Sequence, residues 1–86
     1  MEKALKNMNN KNVTIYSTPA CHYCTIAKDF FDEKGIKYTE HNVLTDQEKR
    51  QEMIDKSGQM GVPVIVIGSQ IMVGFDQTEI SSLLGI

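Results

Sequence analysis

Two cysteines three positions apart are the residues of this chain best suited to chemistry. The segment Cys21-His22-Tyr23-Cys24 follows a short run of β-type residues and opens a helical pattern. The N-terminus of a helix has free N–H groups and the positive end of the helix dipole. In Cys-x-x-Cys motifs this setting lowers the pKa of the first thiol from about 8.5 to roughly 3.5–7.5. We predict that Cys21 is a nucleophile and that Cys24 resolves the mixed disulfide formed on it.

A zinc site and a structural disulfide are the alternatives for this pair. A structural zinc site needs four ligands, and the chain has two cysteines and two histidines. His22 lies between the cysteines, where it can hardly converge with them on one ion, and His41 is on another predicted element. A disulfide between residues only three positions apart closes a very short loop and adds little stability, and nothing in the sequence indicates an oxidising compartment. We therefore favour redox chemistry and predict no metal ligand.

The composition describes one small domain with a nearly balanced charge. The chain has 86 residues and a net charge of −2, which argues against nucleic acid and membrane surfaces as partners because both attract a basic excess. The first ten residues contain no apolar stretch of signal-peptide length, and no run is long enough to span a membrane. We expect a cytoplasmic protein, in which a Cys-x-x-Cys pair is typically catalytic or metal-binding.

The order of the predicted elements is β-α-β-α-β-β-α. Residues 1–12 are polar and rich in asparagine, and we predict a flexible leader there, followed by one domain over residues 13–86. Strands are predicted at 13–17, 36–43, 64–67 and 71–73, and helices at about 23–34, 45–57 and after residue 76. The first two strands are joined by a helix and should be parallel. Thiols after the first strand of such a unit predict a thioredoxin-like redox domain.

Local signals fix several element ends. Thr45-Asp46-Gln47-Glu48 and Asp76-Gln77-Thr78-Glu79 both have the pattern of a helix capping box, and Phe75 with Ile80 has the spacing of a hydrophobic staple. The uninterrupted apolar run from Val64 to Ile67 predicts a strand that is buried on both faces in the middle of the sheet.

Three segments resemble the landmarks of glutaredoxins. They are the Cys21–Cys24 segment, the loop Gly61-Val62-Pro63 and the turn Gly74-Phe75-Asp76. The resemblance covers about residues 13–84 and is closest to small bacterial glutaredoxin-like proteins of the thioredoxin superfamily. It implies an α/β, thioredoxin-like fold, with a four-stranded mixed sheet flanked by three helices, and thiol–disulfide exchange as the chemistry.

The resemblance also implies a substrate site. Pro63 should be cis and face the thiols, with the Val62 backbone pairing with a bound peptide or glutathione. The turn of Gly74, Phe75 and Asp76 should receive the γ-glutamyl end of glutathione, although Asp76 is also explained as a helix N-cap. Tyr23 either lines this groove or packs against its neighbours.

Four positions depart from the family pattern, one of them Gln77, which stands where a second acid often follows the residue matching Asp76. His22 replaces a common proline, and it either places an imidazolium near the Cys21 thiolate, tuning it, or is an exposed residue of little effect. Thr18 and Met60 stand where glutathione-handling members tend to have Lys or Arg. Each lost charge-assisted hydrogen bond is worth about 1.5–3 kcal/mol, which argues against strong glutathione binding.

The function expected from the sequence is that of a cytoplasmic dithiol oxidoreductase that reduces protein or glutathione mixed disulfides, in electron transport and cell redox homeostasis. The electron source is either glutathione as a co-substrate or a flavoenzyme of the thioredoxin reductase type. No tightly bound cofactor, nucleic acid or membrane is expected, and the protein should be a monomer. The alternative is a scaffold that holds a [2Fe–2S] cluster between two subunits with glutathione thiols as additional ligands.

Overall fold

A computed structural model describes residues 12–86 of the chain, which form four strands and three helices. In chain order these are β1 (Val13–Ser17), α1 (His22–Glu33), β2 (Thr39–Asn42), α2 (Gln47–Ser57), β3 (Val64–Ile67), β4 (Gln70–Val73) and α3 (Gln77–Leu84). The predicted element order is confirmed. The predicted leader lies outside the described residues except for Asn12, whose carbonyl accepts a hydrogen bond from the Gly68 N–H.

The strands form one mixed sheet in the order β2-β1-β3-β4. Strands β1 and β2 are parallel, whereas β3 is antiparallel to both β1 and β4. Tyr16 pairs with Val64, and Val64 pairs with Val73. The end of β1, the start of β3 and the end of β4 therefore lie at the same edge of the sheet, where the three predicted site segments are attached.

The sheet is covered on both faces because side chains alternate along each strand. On one face, α1 and α3 pack against Val13, Ile15, Ile65 and Ile67. On the other face, residues of α2 pack against Tyr16 and Val64. Strand β3 contributes side chains to both cores, as its apolar run predicts. No helix in residues 12–86 is both long and apolar enough to cross a membrane.

Strand β2 is shorter than predicted because α1 uses the start of that segment for its C-terminal cap. Gly35 has a φ of 70°, and the Ile36 N–H donates to the Phe31 carbonyl at 2.8 Å. This is the hydrogen bond of a Schellman motif, which needs a residue with positive φ just before its donor. Ile36 packs against the core, and regular pairing with β1 begins only at Thr39.

The cap of α2 is one residue later than predicted, so the capping box at Thr45 is wrong. Asp46 is the N-cap, and its carboxylate accepts from the Lys49 N–H at 3.0 Å. The Thr45 hydroxyl instead donates to the Asn42 carbonyl. Asn42 also accepts the Asp46 N–H, and the resulting turn places residue 46 where the helix begins.

One hydrogen-bonded group ties α2 to the sheet. The buried Tyr16 hydroxyl donates to the Glu52 carboxylate, which also accepts from Lys49 at 3.2 Å. Burial and the neighbouring carboxylate raise the pKa of Tyr16, while the Tyr16 hydrogen bond and then Lys49 hold the pKa of Glu52 below its usual value. The sheet and α2 are therefore linked by an ionised Glu52 at neutral pH.

Candidate active site

Cys21 is the N-cap of α1, and its sulfur accepts a hydrogen bond from the Cys24 N–H at 3.1 Å. The Cys21 backbone is extended, with φ −86° and ψ 113°, while the next residue is already helical. Its N–H donates to the Thr18 carbonyl at 3.2 Å, which holds the turn between β1 and α1. This geometry aims the sulfur at the free N–H groups of the helix, where a negative charge is stabilised.

Cys21 and Cys24 form a disulfide with their Cα atoms 5.2 Å apart. Their accessibility differs, because Cys21 is half-buried and Cys24 is 0% exposed. Cys24 lies on the stripe of α1 that also buries Ala27 and Phe31. Of the two cysteines, Cys21 is therefore the one that a partner can reach from solvent.

The second segment is the loop that ends in a cis Val62–Pro63 bond. The cis isomer is as the resemblance implies. Pro63 is buried and the Val62 side chain packs against the α2 core. In the described part of the chain, residues 12–86, the N–H and C=O of Val62 lie outside the strands and form no hydrogen bond with another backbone group. The main chain is free there to pair with an extended peptide.

Gln59 organises this loop and was not singled out from the sequence. Its side-chain oxygen accepts from the Gly61 N–H at 2.6 Å, and its side-chain nitrogen donates to the Gly61 carbonyl at 3.1 Å. The Ser57 hydroxyl, which donates to the Met53 carbonyl at 2.7 Å, accepts from the Gln59 side-chain nitrogen at 3.2 Å. A glutamine two residues before a glycine is a common sequence pattern and does not by itself predict these hydrogen bonds.

The third segment is the turn after β4, which is connected to both others. Gly74 has a φ of 89°, a conformation that favours glycine, and its N–H donates to the Pro63 carbonyl at 2.8 Å. The half-buried Phe75 ring lies 5.7 Å from the Phe30 ring of α1. Asp76 is exposed and accepts the Glu79 N–H at 3.1 Å, which confirms it as the N-cap of α3.

His22 and Tyr23 occupy the exposed side of the first turn of α1. Tyr23 is 61% exposed, and the two ring centroids are 5.5 Å apart in an edge-to-face arrangement. Neither is part of the packed core. The tuning of the thiolate by His22 and the contact of Tyr23 with a substrate stay predictions.

The segments that build the site differ from those of glutathione-handling relatives in their lack of Lys and Arg side chains. Residues 12–27 and 57–86 include neither Lys nor Arg. Of the two positions where a cation is typical of glutathione-handling relatives, Thr18 is half-buried and Met60 is 62% exposed. Within residues 12–86 there is also no group of three or more His, Cys, Asp or Glu side chains placed to hold a metal ion.

Comparisons with known proteins agree with this geometry. The family model named glutaredoxin matches residues 13–72. The chain is 43% identical over 72 residues to a glutaredoxin-like 8.6 kDa protein in the rubredoxin operon of Clostridium pasteurianum, covering 84% of this chain and 96% of that protein. It is 40% identical over 65 residues to glutaredoxin 3 of Escherichia coli, covering 76% and 78%. The crystal structure of a glutaredoxin from Archaeoglobus fulgidus has the same fold, with a TM-score of 0.78, 17% identity, and coverage of 95% of this chain and 92% of that one.

The two explanations of Asp76 are separated by two substitutions. Asp76→Ala removes the acceptor for the Glu79 N–H and should lower the free energy of unfolding by about 1 kcal/mol, whereas Asp76→Asn keeps an oxygen in place and should change it by a few tenths at most. Urea denaturation of the two variants measures both effects. We expect Asp76→Asn also to retain the wild-type rate of thiol–disulfide exchange with glutathione as the reductant, which a role in glutathione recognition would lower. A stable Asp76→Asn variant that has lost this activity would contradict a role limited to capping.

Proposed function

The chain belongs to the glutaredoxin family of thiol–disulfide oxidoreductases, and we propose that it reduces protein disulfides with Cys21 as the nucleophile and Cys24 as the resolving thiol. The observation that supports these roles most directly is the difference between the two sulfurs. Cys21 is a half-buried residue whose sulfur is hydrogen-bonded at a helix N-terminus, while Cys24 is fully buried. Thiolate character and access together determine which thiol attacks first.

The reaction then has two exchange steps. The Cys21 thiolate attacks one sulfur of the target disulfide, forms a mixed disulfide and releases the other sulfur as a thiolate. The Cys24 thiolate attacks Cys21, so that the Cys21–Cys24 bond of the structure forms and the second target sulfur leaves. The target gains two electrons and the dithiol loses them, and an external reductant must restore the dithiol.

We propose a flavoenzyme of the thioredoxin reductase type as the main electron source and glutathione as a weak co-substrate. Glutathione has two carboxylates, and the segments around Cys21 offer them no Lys or Arg. The exposed Met60 and Tyr23 instead present apolar surface beside the site, which suits a protein partner. The same lack of cations disfavours the cluster-binding alternative, because that scaffold also needs bound glutathione.

Trapping experiments test the roles of the two cysteines. Cys24→Ser should accumulate a mixed disulfide on Cys21 when mixed with an oxidised protein substrate, because the second step is blocked. Cys21→Ser should form no adduct and show no turnover. Intact-mass spectrometry detects the adduct, and dithiothreitol should release it. An adduct in Cys21→Ser, or loss of activity without trapping in Cys24→Ser, would reverse the assignment.

The choice of reductant is tested by NADPH consumption with one disulfide substrate. We expect turnover with thioredoxin reductase to exceed turnover with glutathione and glutathione reductase by about tenfold or more, since a lost charge-assisted hydrogen bond of about 1.5–3 kcal/mol corresponds to about 10- to 150-fold in binding. Met60→Lys should raise the glutathione-dependent rate. Gln70→Lys adds the same charge at the β3–β4 hairpin, at the opposite edge of the sheet, and should not.

Equal or faster turnover with glutathione in the wild-type protein would show that the missing cations are dispensable. Turnover with neither reductant, together with visible absorbance after anaerobic purification, would favour the cluster-binding alternative over the reductase.

A further inference from the structure

Ser17 carries a buried hydroxyl at the end of β1. It is 1% exposed and ends β1 on the sheet face that carries Val13 and Ile15, because side chains alternate along a strand. That face is covered by α1 and α3. The Ser17 hydroxyl donates to the carboxylate of Glu40, on the edge strand β2, at 2.8 Å. The Glu40 carboxylate therefore lies over the sheet face that α1 covers.

The same carboxylate oxygen accepts a hydrogen bond from Lys28 Nζ at 2.7 Å. Lys28 lies on α1 four residues after Cys24, and side chains at this spacing share a helix face with their Cβ atoms about 5–6 Å apart. Long helical side chains lean toward the helix N-terminus, which here is the direction of Cys24. The ion pair is partly open to solvent, with side-chain exposures of 27% for Lys28 and 38% for Glu40.

The Lys28–Glu40 pair can affect the ionisation of Cys24, which the resolving step requires. In the second exchange step Cys24 must lose its proton, but it is 0% exposed, and burial disfavours the thiolate. The Lys28 ammonium favours a thiolate one turn away, whereas the Glu40 carboxylate opposes it. The two charges therefore act on Cys24 with opposite signs.

We propose that Lys28 and Glu40, anchored by Ser17, are positioning residues that set how readily Cys24 ionises in the resolving step. The proposal rests on the proposed roles of the two cysteines. Lys28 stabilises the Cys24 thiolate, and Glu40 holds the ammonium beside the helix while offsetting part of its charge. In this step the Cys24 proton passes to solvent, the Cys24–Cys21 bond forms, and the partner sulfur leaves Cys21 as a thiolate.

The other charged and titratable groups around the pair do not change these signs. Asp29 and Tyr38 both interact with Lys28, and burial raises the pKa of Tyr38, so its hydroxyl is uncharged near neutral pH. The hydrogen bond with Glu40 raises the pKa of Lys28, and Lys28 and then Ser17 lower the pKa of Glu40. Both are charged near neutral pH. From α3, Asp76 is exposed and occupied as a helix cap, and His41 contacts Tyr16 on the opposite face of the sheet.

The test separates the two exchange steps. Reduced protein is mixed in a stopped-flow instrument with an equimolar amount of dithiobis(nitrobenzoate), an aromatic disulfide whose thiolate product is coloured. The first equivalent of colour reports attack by Cys21, and the second reports resolution by Cys24. Both phases are followed from about pH 5 to about pH 9, which spans the range of cysteine ionisation.

Lys28→Met and Glu40→Gln should shift the second phase in opposite directions. Lys28→Met leaves the carboxylate unopposed and should move the midpoint of the second phase up by about 0.5–1 pH unit, while Glu40→Gln should move it down by a similar amount, a size typical of a partly solvated charge a few ångströms away. Lys34→Met and Glu33→Gln make the same charge changes at the far end of α1 and should shift neither phase. Cys21 is half-buried whereas Cys24 is fully buried, so solvent screens the Lys28 and Glu40 charges more strongly at Cys21, and the first phase should shift less than the second.

A purely structural role would move both variants the same way or leave the pH profile of the second phase unchanged, and either result would overturn the proposal. Absence of the first phase in the wild-type protein would instead contradict the role of Cys21. The two failures are therefore distinguishable in one set of traces.

Discussion

The hydrogen bond from the Cys24 N–H to the Cys21 sulfur is the interaction on which the site depends. It forms because the chain is extended at residue 21 and helical from residue 22, so the first sulfur takes the place that a serine or aspartate oxygen takes in an ordinary N-cap. The same helical turn carries the second sulfur into the core. One local change of backbone conformation thus produces an accessible sulfur at the positive helix end and a buried sulfur within bonding distance.

The register of the sheet supplies the rest of the site. Because β3 is antiparallel to both of its neighbours, segments about 45 to 60 residues away in sequence are brought to the end of β1. The hydrogen bond between Gly74 and Pro63 and the contact between the rings of Phe75 and Phe30 then connect the three segments. A partner at Cys21 meets a surface whose loops are fixed to one another and to α1.

Local signals allowed most of this to be predicted from the sequence. The position of the cysteine pair at the start of α1, the burial of β3 and the cap at Asp76 depend on neighbouring residues, and each was confirmed. The predicted start of β2 at residue 36 was wrong because the Ile36 N–H belongs to the Schellman motif that ends α1. Thr45 was wrongly predicted to cap α2 because a turn at Asn42 makes the helix begin one residue later. Ser17, Glu40 and Lys28 belong to three different elements, and their meeting depends on the exact pairing of β1 with β2, which residue types do not encode.

We propose that the helix N-terminus holds Cys21 as a thiolate in the reduced protein while Cys24 stays buried and protected. The most direct measurement is the pH dependence of alkylation of the reduced protein by iodoacetamide, with the modified cysteine identified by peptide mass mapping. We expect Cys21 to be alkylated first, with a half-maximal rate well below the pKa of about 8.5 of a free cysteine. Alkylation of Cys24 first, or a Cys21 profile centred near that of free cysteine, would contradict the claim.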